Sequence, residues 1–135
     1  MAPTPRITLL VASLHVLFYL YLASRVILHR RAHRIGVGTG GDEAMTRKVR
    51  VHANFSEYVP LALLMLALLE LSGTAAAVLW TCGIMLLLAR VAHAIGLGGS
   101  AGYSAGRFAG TILTFGVLLA MAVIGVWRFV AQAML

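Results

Sequence analysis

The chain has 135 residues, of which 61% are hydrophobic and 11% charged, whereas soluble domains carry about a quarter charged residues. That excludes an ordinary soluble domain and leaves an integral membrane protein. The net charge of +7 would suit nucleic acid, but its placement argues against that partner: Arg25, Arg30, Arg31, Arg34, Arg47, Lys48 and Arg50 all sit at or between the ends of the first two apolar runs.

A helix crosses a bilayer with about 20 mostly apolar residues, and four windows qualify, at Ile7–Leu28, Val51–Leu71, Ala75–Ile95 and Tyr103–Ala133. The predicted fold is all-α: an up-down antiparallel four-helix bundle forming one domain over 1–135. Positive residues in short loops stay on the cytoplasmic side. The loop 29–49 is therefore expected in the cytoplasm and both termini outside. Arg90 and Arg107 agree with this orientation, and Arg6 and Arg128 weakly oppose it.

The first window is longer than a signal-peptide core and no small-residue cleavage motif follows it, so it is read as a retained span. Its His15, among leucines, reads as a helix-contact residue. The span closes in HRRAHR, where cations suit the C-terminal end of the helix dipole and can reach lipid phosphates. Arg30 is divided between that role and holding an anionic substrate.

Gly36, Gly38, Gly40 and Gly41 do not make a phosphate loop, because no strand precedes them and no Lys-Ser/Thr pair follows. They are expected to form a mobile connector, with Asp42 as N-cap of the next helix and Glu43 in its first turn.

The second helix carries RVHANFSEYVP at its entry to the membrane. Arg50, Asn54, Glu57 and Tyr58 fall at i, i+4, i+7 and i+8, which sets them in one polar strip. Ionisable groups at bilayer depth cost at least about 2 to 3 kcal/mol each and so mark functional sites. Pro60 is expected to kink this helix. LELSGTAAA leaves almost no loop, so the second and third spans form a hairpin with Glu70 solvated at the far interface.

In the third span the single cysteine, Cys82, reads as a packing residue and excludes an intrachain disulfide. Arg90 and His93 follow at i and i+3, at the same depth as Arg50. Each also has a structural alternative, an ion pair to Glu57 or a carbonyl bond for Arg90 and an interhelical hydrogen bond for His93. In the last span Gly102, Gly106 and Gly110, four apart, favour close helix approach, and Trp127 beside Arg128 reads as an interfacial anchor.

No metal site is expected, because the five histidines are scattered and Glu57 is the only carboxylate near the inner mouth within a span. Ser56 lacks partners for a hydrolase. The strip instead matches a small zwitterion with excess negative charge. Arginine forks bind carboxylates in bidentate fashion, Glu57 can pair with an ammonium, Asn54 can donate and accept, and Tyr58 adds a ring and a hydroxyl.

RVHANFSEYVPLALL resembles the signature helix of the MAPEG family, the membrane-associated proteins in eicosanoid and glutathione metabolism. NxxEYxPLxLL after an arginine is a specific pattern, and HRRAHR and LLARVAHAIG extend the resemblance over nearly the whole chain. It implies a four-helix protomer assembled as a homotrimer, with glutathione as co-substrate bound between subunits near the cytoplasmic face.

By resemblance, Arg50, Asn54, Glu57 and Tyr58 match glutathione-contacting positions, and Arg30 and His52 match positions given by the adjoining subunit. Arg90 matches the arginine of the third helix, and His93 falls where leukotriene-forming members carry tyrosine. Leu97 replaces another tyrosine, and Arg107 is the nearest candidate for the arginine that stabilises the thiolate.

The implied activity is a glutathione-dependent transferase or peroxidase of the inner membrane, acting on a lipophilic electrophile or lipid hydroperoxide drawn from the membrane lipids. The alternatives are a non-catalytic member that binds a thiol or lipid anion or serves as an assembly partner, and a small multidrug transporter using Glu57.

Overall fold

The computed structural model describes residues 4–100 and 102–134. They form four helices, α1 (Arg6–His33), α2 (Glu43–Leu71), α3 (Ala76–Gly99) and α4 (Ala105–Ala133), with no strand among the described residues. Each is long and apolar enough to cross a membrane, and α3 is the most buried. The outward faces carry apolar side chains such as Leu17, Leu64, Leu88 and Leu119, each more than half exposed. Apolar surface on this scale suits hydrocarbon.

The bundle is rhomboid in section. α2 and α3 touch each other and both outer helices, while α1 and α4 lie at opposite corners and do not meet. Buried Val51, Phe55, Val59, Ala62, Leu66 and Leu69 recur every three or four residues, so α2 turns one stripe to the core. Its Ala62, Leu66 and Leu69 meet Leu79, Cys82 and Leu86 of α3 and Val117 and Met121 of α4 in one cluster. A second cluster, built on Leu22, Val51, Phe55, Val59 and Ala94, lies nearer the α1–α2 loop.

α3 and α4 approach at backbone distance. A Cβ on Gly110 would stand 2.5 Å from the carbonyl oxygen of Ala89, and one on Gly96 would lie 2.2 Å from the Arg107 nitrogen. The expected close approach is realised at Gly106 and Gly110, while Gly102 precedes α4. α2 runs unbroken through Pro60.

The α2–α3 hairpin turns at Gly73, with φ +79°, and Thr74 N–H donates to Leu69 O at 3.1 Å. At this end Glu70 corrects the sequence-based expectation of a solvated carboxylate. Its Oε1 accepts the Ile7 N–H at 2.9 Å and its Oε2 the Thr8 N–H at 2.7 Å. α1 begins after Pro5 with no side-chain cap of its own, so Glu70 satisfies two of its orphan donors from a neighbouring helix. Arg128, beside the expected interfacial anchor Trp127, bonds across to the Ser72 carbonyl at the end of α2.

At the opposite end, Asp42 caps α2 as expected, its Oδ1 accepting from Met45 N–H at 2.9 Å. Gly38, Gly40 and Gly41 take φ of +68°, +60° and +76°, left-handed backbone that glycine adopts without steric cost. The glycines thus serve a turn that brings Asp42 back against the end of α1.

Candidate functional site

Arg90 organises the polar interior. It is 2% exposed, inside the bundle, and held by three helices. Its Nη2 donates to Asn54 Oδ1 of α2 at 2.6 Å and, more loosely, to His93 Nδ1 at 3.4 Å. Its Nη1 donates to Thr114 Oγ1 of α4 at 3.2 Å. The Thr114 hydroxyl spends its proton on Gly110 O at 2.7 Å, which turns oxygen lone pairs to the guanidinium.

The rings of Phe55 and Tyr58 each lie 6.0 Å from the guanidinium carbon, and Tyr58 packs edge-on against Phe115 at 5.4 Å.

Every hydrogen-bond partner of Arg90 is neutral. The ion pairs among the described residues are His29–Asp42 and Arg47–Glu43, so the expected alternative of an Arg90–Glu57 pair does not form. Arg90 Nε also has no partner. Burying a guanidinium is costly unless hydrogen bonds or an anion compensate it, and here Asn54, Thr114 and His93 supply the acceptors. The arrangement is therefore a fixed polar centre at one end of the bundle, with the guanidinium held by three acceptors.

The polar strip of α2 divides. Asn54 and Tyr58 turn toward Arg90, whereas Arg50 and Glu57 are exposed. Arg107 is half-buried in the first turn of α4. His52 lies against α1, its ring 4.9 Å from that of Tyr19, and Arg30 Nη1 reaches Gly36 O at 3.5 Å.

One chain thus brings together Asn54, Tyr58, Arg90 and His93, with Arg107 nearby. It leaves Arg30 and His52 elsewhere and Arg50 and Glu57 uncovered. An apolar groove of about 350 Å³ between α1 and α2, lined by His15, Tyr19, Phe55 and Pro60, carries no charged side chain and does not serve an anion.

Thr114 and Phe115 were missed by sequence reasoning, because nothing in the pattern of α4 says which turn faces Arg90. A second polar cluster was missed despite a signal. His29 and His33, four apart on α1, stack with ring centroids 4.0 Å apart. His29 Nε2 lies 2.7 Å from Asp42 Oδ2, and Lys48 Nζ lies 2.6 Å from His29 Nδ1. The Met45 N–H first, and then His29, pull the Asp42 carboxyl down to a pKa of about 2.

These features define a four-span integral membrane protein with a buried, hydrogen-bonded arginine near one end. The MAPEG family model matches residues 8–127, and the chain belongs to that family. It is also similar to Inner membrane protein YecN from two strains of Escherichia coli, with 30% identity over 90 residues, 67% of this chain and 69% of the relative.

Proposed function

We propose that this protein is a glutathione-dependent transferase or peroxidase of the inner membrane, working as a homotrimer on lipophilic electrophiles or lipid hydroperoxides. The observation that carries the reading is Arg90, a buried guanidinium with only neutral partners. Glutathione brings two carboxylates and an ionisable thiol, the charges this receptor lacks. Exposed Arg50 and Glu57 suit a cleft completed by a neighbouring subunit, with Arg30 and His52 offered from across the interface. The name of the Escherichia coli relative supports the inner-membrane assignment, and the basic α1–α2 loop supports its cytoplasmic side.

In this reading the peptide carboxylates and ammonium are held by Arg50, Asn54 and Glu57, and the sulfur lies toward Arg90 or Arg107. A free thiol, with a pKa of about 8.5, is mostly protonated at neutral pH, and a nearby guanidinium favours the thiolate. Each unit of depression corresponds to about 1.4 kcal/mol.

The thiolate then attacks carbon, forming the C–S bond as the leaving group departs. With a hydroperoxide it attacks the terminal oxygen and the O–O bond breaks, releasing an alcohol once protonated. A second glutathione turns the resulting sulfenic acid into disulfide and water.

Ultraviolet difference spectra of the detergent-solubilised protein with glutathione at neutral pH test this. A thiolate band is expected, and Arg50→Ala and Glu57→Gln are each expected to weaken binding severalfold without changing the assembly. Binding without the band would remove the enzymatic reading. Absence of binding would remove the glutathione site altogether.

A further inference from the structure

We infer that His29, His33 and Asp42 form a binding site for a first-row divalent metal ion of the zinc type, clamping the end of α1 to the start of α2. One ligand atom from each lies within 4.8 Å of the others, and all belong to the connection that the glycine turn folds back. Two imidazoles and a carboxylate, with a further position left to water, suit such an ion.

The hydrogen bonds fix what each ring offers. His33 Nδ1 lies 3.1 Å from the His29 carbonyl, which only accepts, so Nδ1 carries the proton and Nε2 keeps a free lone pair. The i,i+4 spacing stacks that ring on His29, which keeps both within reach of Asp42. His29 receives Lys48 at Nδ1 and donates from Nε2 to Asp42 Oδ2.

Metal binding at His29 Nε2 needs the ring proton to move through water to Nδ1. The Lys48 ammonium swings away on its flexible stem. The 2.7 Å gap between Nε2 and Oδ2 then opens as both take metal bonds of about 2.0 to 2.2 Å. The residues bridged, 34–41, include the left-handed Arg34 and three left-handed glycines, so a metal clamp would hold an otherwise weakly packed turn. The cluster lies outside the Arg90 group and does not depend on glutathione binding.

Equilibrium dialysis against Zn2+ tests the site, using the chelator-stripped full chain in detergent with no histidine tag. One Zn2+ per chain is expected, with a rise in thermal midpoint. His33→Gln removes an exposed ligand and is expected to weaken binding at least about tenfold, since even outer partners of a metal act on that scale. It is also expected to abolish the thermal rise while leaving the helical circular dichroism intact.

Lys48→Gln supplies an oxygen for His29 Nδ1–H and removes a competing charge. It is expected to bind Zn2+ severalfold more tightly, a gain that adventitious surface binding does not predict. Less than half an equivalent bound to the native chain, or a His33→Gln variant that binds as the native chain does, overturns the site.

Discussion

At the scale of single residues, three charged side chains do unlike work. Arg90 is buried with neutral partners, and in the proposed function it answers an external anion. Glu70 has its charge stabilised by backbone donors, accepting from Ile7 and Thr8. Glu70→Gln keeps the shape and removes the charge, and a loss of about 1 to 2 kcal/mol is expected, the scale of hydrogen bonds to a charged group at a partly exposed site. Thermal unfolding in detergent reads it, and an unchanged midpoint contradicts the cap.

Asp42 is held below its ordinary value of 3.8, at about 2, by Met45 N–H and then His29. A depressed carboxyl contributes stability that is present above its ordinary value and is lost as pH falls through its folded value. The first turn of α2 should therefore loosen between about pH 4 and 2. The Met45 amide resonance should titrate with a midpoint near pH 2, a step that Asp42→Asn removes. A midpoint at 3.8 means the cap does not form in solution.

At the scale of elements, the α3–α4 contact sets where Thr114 meets Arg90. Gly110 permits it, since a Cβ there would press on Ala89 O at 2.5 Å and on His93 at 2.7 Å, whereas Gly116 faces open space. Gly110→Ala is expected to separate the helices, destabilise the bundle and impair glutathione binding. Gly116→Ala is expected to be neutral or to stabilise by up to about 1 kcal/mol, because alanine suits a helix interior. Equal effects in the two variants would contradict the packing account.

The four spans and the Asp42 cap were legible because apolar length, capping chemistry and charge placement are local properties of the chain. The trans cap by Glu70 was not, since the donors it satisfies lie more than sixty residues away. Thr114 was hidden for the same reason. The His29–His33 pair was legible from its i,i+4 spacing, but only the fold of the glycine turn brings Asp42 to it.

At the scale of the whole molecule, burial is concentrated in α2 and α3, while α1 and α4 present apolar faces outward at opposite corners. The polar groups segregate along the axis: Glu70 and Arg128 tie one end, and Arg90 with its partners and the His29 cluster occupy the other. In the proposed function, this polarity gives the bundle one rim that receives a water-borne anion beside lipid-facing surface. Arg50 and Glu57 remain uncovered at that rim, which supports the proposal that a second subunit completes the cleft.

The most direct measurement is equilibrium binding of glutathione to the native chain and to Arg90→Met, which keeps much of the side-chain volume and removes the charge. Folding of each is checked by circular dichroism. The account predicts saturable binding by the native protein and a loss of at least about tenfold in the folded variant, consistent with removing a charged hydrogen-bonding partner. Equal affinity in both would show that the buried guanidinium serves packing alone.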